Sequence, residues 1–144
     1  MLKLMYITNS PEVASIADGA GVDRIFIDLE QYGKEKRQKN WDSVKSKHSI
    51  SDIPKVKSAV KNAQIFVRTD PIFDGFSDEL EGVLACEPDV VMLPYFKTVR
   101  EVETFIKAVD GRATTSLLLE TRGAAEQIDD IISVGGIDEI HIGL

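Results

Sequence analysis

Gln64-Ile65-Phe66-Val67-Arg68 carries three large apolar residues in succession before it ends in an arginine. A strand covered on one face alternates apolar and polar residues. An unbroken apolar run fits a strand covered on both faces, as in a parallel sheet under crossover helices. Runs of the same kind stand at Lys3–Ile7, Arg24–Ile27, Val90–Leu93, Ser116–Leu119 and Glu139–Ile142. From Gln64 onward they begin at residues 64, 90, 116 and 139, intervals that a strand, a helix and two short loops fill. Six such steps without a hairpin signal predict an α/β fold built on a parallel sheet.

The segments between the runs read as capped helices. Ser10-Pro11 sets an N-cap before a proline at the first helical position, and Val13, Ile16, Ala17 and Ala20 follow on one face. Gly21 stands where a left-handed residue ends that helix. Thr98-Val99-Arg100-Glu101 has the form of a capping box, with Val99, Val102, Ile106 and Val109 behind it as a core-facing stripe. Ser77 is expected to cap the helix carrying Leu80, Val83 and Leu84. Ile128, Ile131 and Ile132 mark a last helix closed by Gly135-Gly136. One interval breaks the rhythm: residues 31–51 are polar and charged, and read as a long loop ahead of a helix starting near Asp52-Ile53-Pro54. Trp41 and His48 within it suggest a segment that docks.

Composition narrows the class. The 144 residues include 17 Lys+Arg against 24 Asp+Glu, a net charge of −7, and 43% are hydrophobic. That is one soluble domain over residues 1–144, with a field of the wrong sign for a nucleic-acid partner. The basic cluster of residues 34–39 is interrupted by Glu35 and reads as a solvated face. A single cysteine, Cys86, permits no internal disulfide and reads as a small buried hydrophobe. No run reaches the length of a membrane span, and Met1–Ile7 does not read as a secretory signal, so the expected location is cytoplasmic.

In parallel α/β folds ligands gather at the C-terminal ends of the strands. Asp28, Glu30, Arg68, Asp70 and Glu120 all follow apolar runs at that rim. Glu120, directly after Leu117-Leu118-Leu119, reads either as a ligand of a hard divalent cation or as the partner of Arg68 or Arg122. Arg68 reads either as a bidentate anchor for a carboxylate or developing oxyanion, or as a structural ion pair with Glu30. Asp28 and Glu30, two apart, share a face of a regular strand and can divide acid and base roles or brace an arginine.

The succession Gly21-Val22-Asp23-Arg24-Ile25-Phe26-Ile27-Asp28-Leu29-Glu30, Val67-Arg68, Val91-Met92-Leu93-Pro94, Leu119-Glu120-Thr121 and Gly136–Leu144 resembles the HpcH/HpaI aldolase and citrate lyase β-subunit family. The resemblance implies a (β/α)8 TIM barrel of the pyruvate/phosphoenolpyruvate-binding type. It also implies a class II (divalent-metal) aldolase or lyase using Mg2+ or Mn2+, and a small 2-oxo acid or acyl-thioester cleaved or joined through an enolate. Glu120 would then be a metal ligand, and Arg68 would contact the substrate and its enolate. Pro94 would line the substrate, and Asp28 and Glu30 would organise the arginine and the water at the metal. Where aldolases of the family carry a histidine after the acidic pair, Gln31 stands, and citrate-lyase-like members carry an Asp there. His48 is the candidate replacement acid/base. A second metal-binding Asp is expected shortly beyond Ile142-Gly143-Leu144. A homo-oligomer is also implied.

Three competing readings follow. A barrel-derived domain could bind a carboxylate metabolite or assemble with partners without catalysis, which Gln31 and the single metal carboxylate favour. A doubly wound open parallel sheet suits the length, but Thr8-Asn9-Ser10-Pro11 lacks the Gly-rich turn of its nucleotide sites. A Schiff-base aldolase finds only Lys97 near a strand end. Since a complete barrel takes about 250 residues, the expected object is about six of eight βα units. Its open side would be covered by further chain or by a partner.

Overall fold

The computed structural model describes residues 2–31 and 47–143. Trp41 and the basic cluster at 34–39 lie outside the described residues. The elements run β1 (Met5–Ile7), α1 (Pro11–Gly19), β2 (Arg24–Asp28), α2 (Asp52–Ala59), β3 (Gln64–Arg68), α3 (Phe76–Leu84), β4 (Val90–Leu93), α4 (Val99–Val109), β5 (Thr114–Leu119), α5 (Arg122–Glu126), α6 (Ile128–Ser133) and β6 (Glu139–Ile142). Every pairing is parallel, and the sheet order is β1-β2-β3-β4-β5-β6. A doubly wound sheet reverses its strand order at a switch point. This one never does, which removes the doubly wound alternative.

The sheet is curled. β2 and β6 lie four strands apart, roughly 19 Å in a flat sheet at about 4.8 Å per strand. Yet the Arg24 guanidinium grips Glu139 through two hydrogen bonds of 2.7 and 2.5 Å. Likewise the His141 ring of β6 lies 5.6 Å from the Phe66 ring of β3. Only closure toward a barrel brings these side chains together, so the chain forms a six-stranded part of a TIM-barrel-like fold.

Two apolar layers result. The larger lies between sheet and helices, around Ile25, Ile27, Ile65, Val67, Leu80, Val91, Leu93, Val102, Phe105 and Leu117, all essentially inaccessible to water. The smaller fills the concave side with Phe66, Val90 and Met92, flanked by Met5, Phe26 and Leu118. Consecutive strand residues are thus buried in opposite layers, and this produces the unbroken apolar runs.

The local signals are met where the chemistry is local. The Ser10 side chain accepts the Val13 N–H, with Pro11 opening α1, and Gly21 has φ +87°. Thr98 and Glu101 form the reciprocal capping box. Several details differ from expectation. β1 starts at Met5, not Lys3, and Ile16 and Ala20 of the first helical segment and Ile132 of α6 are exposed, the packed side of α1 being Ala14 and Ala17. α3 starts at Phe76 with Gly75 as N-cap, not at Ser77, because burial of the Phe76 ring draws the chain into the helix earlier. β5 starts at Thr114, two residues early, because buried Thr115 gives its N–H and hydroxyl to the Asp138 carboxylate. The last helical segment is split at Gln127 into α5 and α6. Cys86 is half-buried, its Sγ donating to the Gly82 carbonyl at 3.4 Å. No helix among the described residues is long and apolar enough to cross a membrane.

Candidate active site

β2 and β3 pair with Asp28 opposite Arg68, so the register alone sets the two side chains on the same face at the C-terminal rim. Arg68 Nε and Nη2 donate to Asp28 Oδ1 and Oδ2, both at 2.9 Å, in the parallel two-bond geometry of the guanidinium–carboxylate pair. Glu30 closes on the same nitrogen, Oε2 lying 3.4 Å from Nη2. Glu30 is buried, while Arg68 and Asp28 keep 18% and 16% of their side chains exposed, enough for a small ligand to reach. Burial pulls the Arg68 pKa down. The bonds to Asp28 and the charges of Asp28, Glu30 and Glu120 outweigh it and hold the guanidinium above its ordinary value. The Phe26 ring lies 5.5 Å beneath its carbon. Nη1 meets no partner among the described residues, so the bracing acids fix the fork through Nε and Nη2.

Glu120 takes neither of the partners its position suggested. Arg122 pairs with Glu126 at 2.6 Å, and Glu120 is exposed, so the desolvation argument from its apolar strand does not apply. Its Oε1 accepts the Tyr95 N–H at 3.0 Å. Tyr95 has φ +50°, a left-handed conformation uncommon for a bulky residue, of the kind held at functional sites. On the other side, a Cβ at Gly143 would meet Glu120 Cβ at 3.0 Å, so a larger residue just after β6 would have to push the Glu120 side chain aside. Pro94, buried, immediately precedes Tyr95.

His48 docks against the site. It is 3% exposed, and its Nδ1 accepts the Asp28 N–H at 2.9 Å, which fixes the neutral tautomer with hydrogen on Nε2. The ring is thus packed at the end of β2, as its segment's expected docking requires. Lys97 is exposed, with its Nζ 4.8 Å from the Tyr95 ring, far from the desolvated setting of a Schiff-base lysine.

Asp70 ties two loops, its Oδ1 accepting the Gln31 N–H at 2.6 Å and its own N–H donating to Glu79 Oε1 at 3.0 Å. Sequence reasoning did not single out Glu79. An acid in the first turn of a helix is common, and only the packing shows that its Oε2 is buried without a partner. Burial, with the Asp70 charge adding to it, pushes Glu79 up to about 7 against the bond from the Asp70 N–H.

The donor set meets the needs of a divalent cation only in part. Mg2+ takes one or two carboxylates and fills its sphere with water and substrate oxygens. Glu120 fits as one such oxygen donor, exposed and in no ion pair among the described residues. Asp28 and Glu30 are committed to Arg68. Among the described residues no cluster of three or more His, Cys, Asp or Glu surrounds a metal position, so these residues account for one protein ligand.

The sequence profile of the HpcH/HpaI aldolase/citrate lyase family matches residues 3–144. The fold is similar to the crystal structure of an HpcH/HpaI aldolase/citrate lyase family protein from Burkholderia cenocepacia J2315, with TM-score 0.77 and 12% identity over 98% of this chain and 63% of that one. It is also similar to the citrate synthase SbnG, with TM-score 0.72 and 16% identity over 98% of this chain and 60% of that one. A third similar structure is a 3-hexulose-6-phosphate synthase, at TM-score 0.64 and 18% identity, covering 99% and 66%. The chain thus spans about three-fifths of the length of the first two. No curated protein sequence matches it.

Proposed function

The chain belongs to the HpcH/HpaI aldolase/citrate lyase family, and from that premise we propose that it acts as a carbon–carbon lyase or aldolase on a small 2-oxo acid or acyl-thioester. The observation that carries the reading is the Arg68 guanidinium, braced by Asp28 and Glu30 at the rim with Nη1 uncommitted and Glu120 within range of its charge.

Breaking a carbon–carbon bond next to a carbonyl leaves negative charge on the carbonyl oxygen. A cation already fixed in place stabilises that charge without reorganising as it forms. Arg68 meets this requirement, because the two-bond pair to Asp28 and the contact to Glu30 hold its plane before substrate arrives. Glu120 would supply one ligand to Mg2+ or Mn2+, which when bound polarises the 2-oxo acid. His48 keeps the Asp28 backbone in register through Nδ1, and its Nε2–H is the candidate proton carrier.

The test is release of pyruvate from aldol adducts of pyruvate, followed with a coupled dehydrogenase, with and without Mg2+. Turnover should need the metal, and Glu120→Ala should abolish the metal response. Arg68→Met should lower kcat by about 10²–10³. Metal-independent turnover unchanged by Glu120→Ala would sink the proposal. A second reading has its own support, since Gln31 follows the acidic pair and the described residues offer one metal carboxylate. It is a site that binds a carboxylate metabolite without converting it. Calorimetric binding of pyruvate or oxaloacetate without turnover would identify that case.

A further inference from the structure

Glu79, in the first turn of α3, has half of its carboxyl engaged and half orphaned. Oε1 accepts the Asp70 N–H, while Oε2 is shut off from solvent without a partner. An ionised oxygen in that setting keeps its desolvation cost with no donor to offset it. We infer that the Glu79 carboxyl is a positioning group for the strand-end site: it holds the loop after β3 through Asp70 and, through Asp70, the segment that brings Glu30 to Arg68. What that site does rests on the proposed function. The linkage itself rests on the contacts alone.

The linkage is continuous. Glu79 Oε1 receives the Asp70 N–H at 3.0 Å, and Asp70 Oδ1 receives the Gln31 N–H at 2.6 Å. Gln31 follows Glu30, whose Oε2 lies 3.4 Å from Arg68 Nη2. Loops from two different βα units, after β2 and after β3, are thus joined at one residue. The site's arginine is set from both sides, by Asp28 on its own strand neighbour and by Glu30 through this chain of contacts.

Among the described residues, no cation pairs with Glu79. From the end of α4, Arg112 crosses to α3 but is taken by Glu81. Lys57 of α2 goes to Glu87 and the carbonyls at the end of α3. The segment before α2 faces α3 with Ile50, which lies against Gly82. Asp78, beside Glu79 on the helix, is exposed. The charge that acts on Glu79 is that of Asp70, which adds to burial in pushing it up to about 7. Below that pH the group is a neutral acid beside one carboxylate. Above it, two like charges face each other across the bond that holds the loop.

Hydrogen exchange of the whole chain tests this by the protection of the Asp70 and Gln31 amides, with the Phe66 and Val91 sheet amides as reference. Glu79→Ala should lower protection at both loop positions by about tenfold or more at pH near 6 and leave the sheet amides unchanged. Glu79→Gln keeps a neutral acceptor for the Asp70 N–H and should retain protection. In the wild type, protection at Gln31 should fall as pH rises through about 7, and in Glu79→Gln it should stay flat. Unchanged Gln31 protection in Glu79→Ala, or the same pH profile in wild type and Glu79→Gln, overturns the inference. If Glu79→Ala also loses the sheet amides, the comparison of wild type with Glu79→Gln decides. Exchange does not read turnover, so an inactive protein would overturn the proposed function and leave this result standing. In an active one, kcat/KM should lose an arm near pH 7 in Glu79→Gln.

Discussion

Arg68 shows how a single residue's role depends on who reaches it. The sequence presented it as an ion-pair partner of Glu30 or as a ligand anchor; the fold shows the ion pair and extends it to Asp28, and the anchor is what the proposed function adds. Asp28 takes two of its nitrogens, Glu30 shares one, and Nη1 stays uncommitted. Removing the cation would take the guanidinium from between Asp28 and buried Glu30, two like charges on one face. Arg68→Met should therefore lower unfolding free energy in urea by about 3 kcal/mol, because breaking a largely buried pair strands the remaining charges. Part of that loss should return in Arg68→Met with Asp28→Asn, a non-additivity that identifies direct contact. Equal losses in the single and double variants would show that the acids do not depend on the arginine. That Asp28 and Glu30 share a face was legible from their spacing of two. That Asp28 rather than Glu30 makes the two-bond pair follows from the β2–β3 register.

Elements reveal which sequence signals carry their own chemistry. The box at the start of α4 was readable because both partners lie within one turn: Glu101 Oε2 accepts the Thr98 N–H, and Thr98 Oγ accepts the Glu101 N–H. The same carboxylate also receives the Lys97 N–H, which ties the helix start to the loop bearing Tyr95. Thr98→Ala should cost about 1 kcal/mol in urea unfolding with little change in the denaturant slope. A loss below a few tenths would mean that packing of Val102, Phe105 and Val109 holds the helix start without the cap. The start of α3 was not readable in the same way. Ser77 has the chemistry of a cap, but the burial of Phe76 is decided by residues far along the chain. β5 begins early for a similar reason, since the partner of Thr115 is Asp138.

The curl of the whole sheet is fastened on its concave side by Arg24 and Glu139, which no sequence separation suggests pairing. The hydrogen bond from Arg24 comes first among the causes holding the Glu139 carboxyl below its ordinary range, and burial opposes it. A lowered carboxyl contributes stability above its unfolded pKa and loses it as pH falls through its folded one. Acid should thus weaken the β2–β6 clasp. Glu139→Gln should lose that component of the acid sensitivity and cost about 2–3 kcal/mol at neutral pH, because buried Arg24 loses its carboxylate and keeps the bond to neutral Gln64. Changing both residues to methionine should restore most of it. Urea unfolding across the acid range reads both effects, and an unaltered acid limb in Glu139→Gln would show that the clasp does not hold the curl.

By itself the sequence determined the number of strands, their parallel sense, the caps of α1 and α4 and the residues that gather at the rim. These depend on local periodicity, on short-range hydrogen bonds and on the fact that parallel strands end on a common side. Tertiary structure alone decided the Arg24–Glu139 clasp, the partner of Glu120, the amide that His48 accepts and the orphaned oxygen of Glu79. Each of these is fixed by contacts between segments distant in the chain. Their strength depends on how far packing excludes water from a charge, which no spacing along the sequence records.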